Sequence, residues 1–294
     1  MADNYTHQYN ARNALEIAKY VPRDINSFIM GANGPDPLFC YQMYNPSRKY
    51  RISDLGHKMH KEKTGLFLRN LFRFAQTDSQ KDYCLGFLCH YALDSTLHPY
   101  VNYITNLYGS PFNIPAGHGF FESALDSKLS MKTTGQPAAD VDSYCPEMNR
   151  MALNQIVALL KKAVDATYED HDYPRSEYLQ AFKDFRFIKK FFYSPNKFKF
   201  PAAYLVEKSL GFSDGFVMSH MQPCTREIPE FPFWKNEVAN LYSIETLDNI
   251  LLRADYLAAE SINIGLEYFK GIYSLADLME DIGNKSYDTG VVID

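Results

Sequence analysis

The sequence predicts an all-α protein, a single large multi-helix domain spanning residues 1–294. Three observations lead there. Apolar residues recur at helical spacing along most of the chain, and β-branched alternation bounded by turn pairs is almost absent. The composition, 46% apolar and 22% charged over 294 residues, is that of a folded chain long enough to bury a full core. Aromatics reach 15%, with 21 Phe and 22 Tyr against 1 Trp, which suits helices packed through aromatic layers.

Taken in order, residues 8–20 carry Ala11, Ala14, Leu15 and Ala18 on one stripe behind Thr6, a helix with an N-cap. Residues 29–50 hold Gly31, Gly34, Pro35, Pro37, Asn45 and Pro46 and read as a long loop. Leu66, Phe67, Asn70, Leu71 and Phe74 predict a helix over 57–76, and a strongly apolar helix over 80–98 is expected to end at Pro99. A loop at 108–117 precedes a helix from His118 to about Leu129. Residues 146–169 are amphipathic, and 244–279 read as one or two helices. A C-terminal helical layer over about 140–280 is thus expected beside a chemical site within 1–130.

Charge and cysteines narrow the function classes. The net charge of −5 excludes a global basic field for nucleic acid. No apolar run approaches the roughly 18 residues of a membrane-spanning helix. The polar segment Met1–His7 lacks the apolar core of a secretory signal, so a cytoplasmic, bacterial-type protein is expected. Cys40, Cys84, Cys89, Cys145 and Cys224 are widely spaced, without a CxxC pair, and read as packed thiols in a reducing compartment.

The chemistry concentrates early. Six of the eight histidines (His7, His57, His60, His90, His98, His118) fall within the first 122 residues. His90, Asp94 and His98 lie at i, i+4 and i+8 on one helix face among Leu85, Phe87, Leu88, Ala92 and Leu93, so that face points inward. His118 and Glu122 repeat the spacing on the next helix, and Asp36 sits in the Gly/Pro-rich loop. Burying this many titratable groups costs several kcal/mol each unless something compensates, and a divalent cation does so. Imidazole and carboxylate without thiolate favours zinc in a catalytic rather than a structural setting.

In their order, Thr6-His7, Gly31-Ala-Asn-Gly-Pro-Asp36, His60-Lys-Glu-Lys, His90-Tyr-Ala-Leu-Asp94 with Pro99 soon after, and His118-Gly-Phe-Phe-Glu122 resemble the zinc-dependent phospholipase C family. The resemblance covers about residues 5–130. It implies an all-α fold with two or three Zn2+ at the bottom of a cleft and a water attacking phosphorus. It further implies that Asp36, His60, His90 and Asp94 hold one zinc and that His98, His118 and Glu122 hold a second. His7 would hold the third with Asp94 bridging, and Asp36 would also orient or deprotonate the water. His57 and His60 share one helix at i, i+3, and the HxEK context selects His60. Asp126, one turn on from Glu122, matches no ligand of the family and is expected to be a silent control.

A phosphodiester, phospholipid above all, is the expected substrate. A nuclease or nucleotidase on the same metals, with nucleic acid as substrate, is the alternative enzyme, and a metal-binding protein without turnover is the alternative outside enzymes. Residues 182–200 add seven Phe and six Lys/Arg against one acid. Phe182, Phe185, Ile188 and Phe192 share a helix face, so the stretch reads as a core-packing helix with a basic edge, or as a peripheral membrane contact.

Overall fold

The Thr77 hydroxyl accepts the Gln80 amide hydrogen while the Gln80 side chain accepts that of Thr77, a reciprocal cap that opens α5 (Asp78–Asn106). This 29-residue helix is the spine of the computed structural model, which describes residues 4–293. It does not stop at Pro99. A proline's φ suits a helix and forfeits one bond, here to the Ser95 carbonyl; buried Leu97, Tyr100, Val101 and Ile104 around it carry the helix on for about two turns.

Before the spine come α1 (Asn4–Ala18), α2 (Ile25–Ala32), a 3-10 turn at Asp36–Cys40, α3 (Ile52–Lys61) and α4 (Thr64–Phe74). The expected single helix over 57–76 is therefore two. Glu62 is extended and Lys63 takes a left-handed φ of 53°, and Thr64 is then held by its hydroxyl on the Lys285 carbonyl and the Asn284 side chain. Contacts some 220 residues away in sequence decide that break. The expected loop at 29–50 is also shorter, because α2 runs to Ala32 under an Asp24 cap.

After the spine follow α6 (Gly117–Thr134), α7 (Val141–Tyr144), α8 (Arg150–Asp165), α9 (Arg175–Phe192), α10 (Phe200–Ser209) and a 3-10 turn at Met218–His220. A small antiparallel hairpin, β1 (Trp234–Asn236) and β2 (Leu241–Ser243), precedes α11 (Leu247–Phe269) and α12 (Leu275–Ile282). The fold is all-α, with this hairpin the one sheet among the described residues.

Both α2 and α11 lie along α5, and α1 touches α11, α5 and α6. The α2–α5 crossing is close because each helix presents a glycine. A Cβ on Gly31 would lie 2.2 Å from the Tyr83 carbonyl oxygen, and one on Gly86 would lie 2.0 Å from that of Phe28. This crossing aims the end of α2, and the aspartate loop behind it, at the middle of α5. No helix of the described residues is long and apolar enough to cross a membrane.

Candidate metal centre

Four segments converge on the inward face of α5. His90, Asp94 and His98 stand on that face, fully buried. The loop after α2 is fixed by Asn33, whose side chain donates to the Ile29 and Tyr144 carbonyls and accepts from Asn4. Gly34 follows with a φ of 51° and lies over the His90 imidazole, where a Cβ would meet Cδ2 at 2.3 Å. Only glycine combines that φ with that approach, and it swings Asp36 into the centre, 3% exposed. α1 brings His7, α3 brings His60, and α6 brings His118 and Glu122.

Asp94 sits in the middle. Its carboxylate oxygens lie 3.0 Å from His90 Nε2, 3.4 Å from His7 Nε2, 3.6 Å from His60 Nε2 and 3.8 Å from His98 Nδ1. Asp36 is 3.7 Å from His60 Nε2 and 3.9 Å from His7 Nε2. Glu122 forms the other lobe, 2.7 Å from His118 Nε2 and 3.5 Å from His98 Nε2. Three sets of ligand-type atoms come within 4.8 Å of one another: His7, Asp36 and His90; His60, His90 and Asp94; and His98, His118 and Glu122. The His118 side chain is 34% exposed, which makes the Glu122 lobe the open one.

Most of these contacts are not hydrogen bonds. Both ring nitrogens of His7 and His90, Nε2 of His60 and His98, and both oxygens of Asp36 and Asp94 are buried without a hydrogen bond among the described residues. Each such atom costs about 1–3 kcal/mol when left so. Zinc bonds of about 2.0–2.2 Å set tetrahedrally hold their donors roughly 3.3 Å apart, and the nitrogen–oxygen separations around Asp94 and Asp36, 3.0–3.9 Å, bracket that value. The residues present fit a metal centre.

Two imidazoles are oriented from behind. His60 Nδ1 donates to the Gly56 carbonyl at 2.8 Å, and His98 Nδ1 donates to the Tyr287 carbonyl at 3.0 Å, so in the neutral form of each ring Nε2 turns its lone pair toward the centre. Burial drives the His7 pKa well below its usual value, aided by His90. Burial also raises that of Asp36, against the pull of His90 and His60. For Asp94 burial acts upward, yet His90, His98 and His7 together hold it well below the carboxylate range. Burial opposes the charge on His98, but Asp94 and Glu122 raise its pKa to about 9.

His57, which shares α3 with His60, points elsewhere. It is exposed, its ring edge-on to Phe39 at 4.7 Å. Three features of the surroundings escape sequence reading. Tyr287, fully buried, sets its ring against His60 at 5.3 Å and His90 at 5.5 Å while its amide donates to the His60 carbonyl. Asp126 accepts the Tyr5 and Thr6 amides at 3.0 and 2.7 Å and the Thr6 hydroxyl at 2.6 Å, closing the first turn of the helix that carries His7. Asp255 accepts from Asn10 and Asn13 on the same helix. No local pattern signals these, because the partners stand 120 to 245 residues apart. The thiols of Cys40, Cys84, Cys89 and Cys145 are buried, and burial pushes Cys40 and Cys145 up to about 12, as inert packed thiols require.

A family model described as zinc dependent phospholipase C matches residues 6–173, more than half of the chain and all of the converging side chains except Tyr287 and Asp255. No curated protein matches the chain, and no solved structure does.

Proposed function

Because the chain belongs to the zinc-dependent phospholipase C family, we propose that it hydrolyses the phosphodiester of a phospholipid-type substrate at the centre around Asp94. The observation that carries this reading is the set of buried imidazole nitrogens and carboxylate oxygens facing one another at 3.0–3.9 Å with no hydrogen bonds between them. On this reading Asp36, His60, His90 and Asp94 hold one zinc, His98, His118 and Glu122 a second, and His7 a third with Asp94 shared.

Zinc, when bound, supplies positive charge to the phosphate oxygens and the departing alkoxide and acidifies a water at neutral pH. The chain's own groups do the rest. Asp36 Oδ1 and Oδ2 are aimed into the centre and orient the water or take its proton. The Gly56 and Tyr287 carbonyls hold His60 and His98 in one tautomer each. The buried walls keep bulk water from all but the exposed His118 lobe, where a substrate phosphate enters.

Elemental analysis of desalted protein tests the metal half: two or three zinc per chain are expected, with His7→Ala losing about one and staying folded. No zinc, and none taken up on addition, refutes it. Release of phosphorylated headgroup from a phospholipid, with single-stranded DNA as the parallel substrate, tests the reaction. Loss of that release on chelation and recovery with zinc is expected, whereas cleavage of DNA alone would transfer the site to the nuclease reading.

A further inference from the structure

Helix α10 (Phe200–Ser209) inverts the usual pattern of a helix on a folded protein. It buries only Ala203 and Glu207, while Tyr204, Leu205, Val206 and the following Leu210 are 50%, 66%, 37% and 59% exposed. A surface helix ordinarily turns such residues inward. Beside it, Val206, Leu210, Phe212 and Phe216 meet Tyr44 and Phe187 in one groove of about 220 Å³, whose walls are almost wholly apolar. Phe187 itself is 62% exposed, although the rest of its helix follows the expected plan with Phe182, Phe185, Ile188 and Phe192 buried. The basic-aromatic stretch thus has an inner face that packs and an outer face that none of the described residues covers.

The charge on this face is mainly basic, although Asp214 pairs with Lys208 and both Asp142 and Glu147 lie against Arg186. Residues 182–210 contain seven Lys and Arg against two acids, Asp184 and Glu207, and both acids are turned inward at 3% and 2% exposure. Glu207 is occupied with the Gly215, Val217 and Met218 amides. Lys183, Phe187 and Lys190 form one exposed stripe of α9, and neither lysine has an ion-pair partner among the described residues. The chain as a whole carries −5, so this is a local inversion.

Exposed Leu, Val, Phe and Tyr rimmed by unpaired lysines match an anionic lipid surface, with apolar groups below the headgroups and ammonium groups at the phosphates. A second copy of the chain would bring two basic rims together. The segment leaving α10 also leads to the metal centre, since Gly215 packs on Phe120 and Ala116, and Ser219 on Gly119, at the turn that bears His118.

We infer that the α9–α10 face docks the protein on anionic phospholipid membranes and presents the open His118 lobe to lipid headgroups. The docking goes beyond the proposed reaction, and only the presentation of headgroups rests on it. Flotation with equimolar phosphatidylcholine–phosphatidylglycerol vesicles and with pure phosphatidylcholine vesicles tests the docking, and hydrolysis of a monomeric short-chain phosphatidylcholine by the parent separately tests the reaction. The parent should partition about ten-fold more onto the anionic vesicles and release at high salt. The double variant Leu205→Glu, Leu210→Glu, at exposed positions, should lose that partition about ten-fold or more with parent melting temperature and zinc content. No flotation of the parent, equal flotation of the double variant, or a stable parent dimer that the double variant dissolves would each overturn the inference, whatever the hydrolysis assay gives.

Discussion

Replacing Asp126 by Asn separates a residue that holds the centre's scaffold from the residues proposed to hold its metals. Its carboxylate takes the Tyr5 and Thr6 amides and the Thr6 hydroxyl at the open end of α1. Asn keeps the size but offers one carbonyl oxygen, and its NH2 faces an amide that is itself a donor. The variant loses a charge-assisted hydrogen bond, about 1.5–3 kcal/mol, and the negative charge at a helix N-terminus, about 0.3–1 kcal/mol. The sum is about 2–4 kcal/mol. At about 2–4 °C per kcal/mol for a chain of this order of size, the melting temperature should fall by about 5–15 °C. Because His7 directly follows the clamped Thr6, its zinc should go first, and the Tyr5 and Thr6 amides should exchange faster than those of α5. Calorimetry, hydrogen exchange and elemental analysis on one preparation read all three. An Asp126→Asn protein with parent melting temperature and parent zinc content would refute the clamp and restore Asp126 as the silent control that its lack of a counterpart among the family's ligands suggests.

Three further outcomes are expected. Asp94→Asn removes the charge shared by four imidazoles and, on the proposed ligand set, by two cations; hydrolysis should fall below detection and zinc content should drop, and parent-level hydrolysis would remove Asp94 from the centre. Tyr287→Phe should be near neutral, because the buried hydroxyl makes no hydrogen bond among the described residues, whereas Tyr287→Ala should cost about 3–5 kcal/mol and weaken zinc binding through His60 and His90, read by denaturant unfolding and competitive chelation; equal effects of the two would deny the ring its role. Burial raises the Asp255 pKa to about 6 from an ordinary 3.8, with Asn13 and Asn10 opposing. Its folded form therefore binds a proton that the unfolded form releases, and the stability it contributes is present below about pH 4 and lost as pH rises through about 6. Asp255→Asn should flatten that part of the stability curve between about pH 4 and pH 6, and an unchanged dependence of urea-unfolding stability on pH across that window would count against it.

Much of the centre was readable in the chain because its signals are local. His90, Asp94 and His98 share a face by helical arithmetic, as do His118 and Glu122, and a Gly-Pro loop announces Asp36. Periodicity likewise gives an all-α fold, since a helix writes its buried face every three to four residues. Local signals end where the partner is distant. The break at Glu62–Lys63 follows from Asn284 and Lys285, and the helix passes Pro99 because packing outweighs one lost bond. The choice of His60 over His57 is made in space by the way α3 meets the Asp36 turn, which buries one imidazole and leaves its neighbour out. Local pattern is enough to pick the side chains with the right chemistry and the helices that carry them. Tertiary structure decided what orients them: the Tyr287 carbonyl behind His98, the Asp126 clamp ahead of His7, and the exposed apolar side of α10. Those depend on pairings across 120 to 189 residues or on what fails to pack, and neither leaves a trace in any window of the chain.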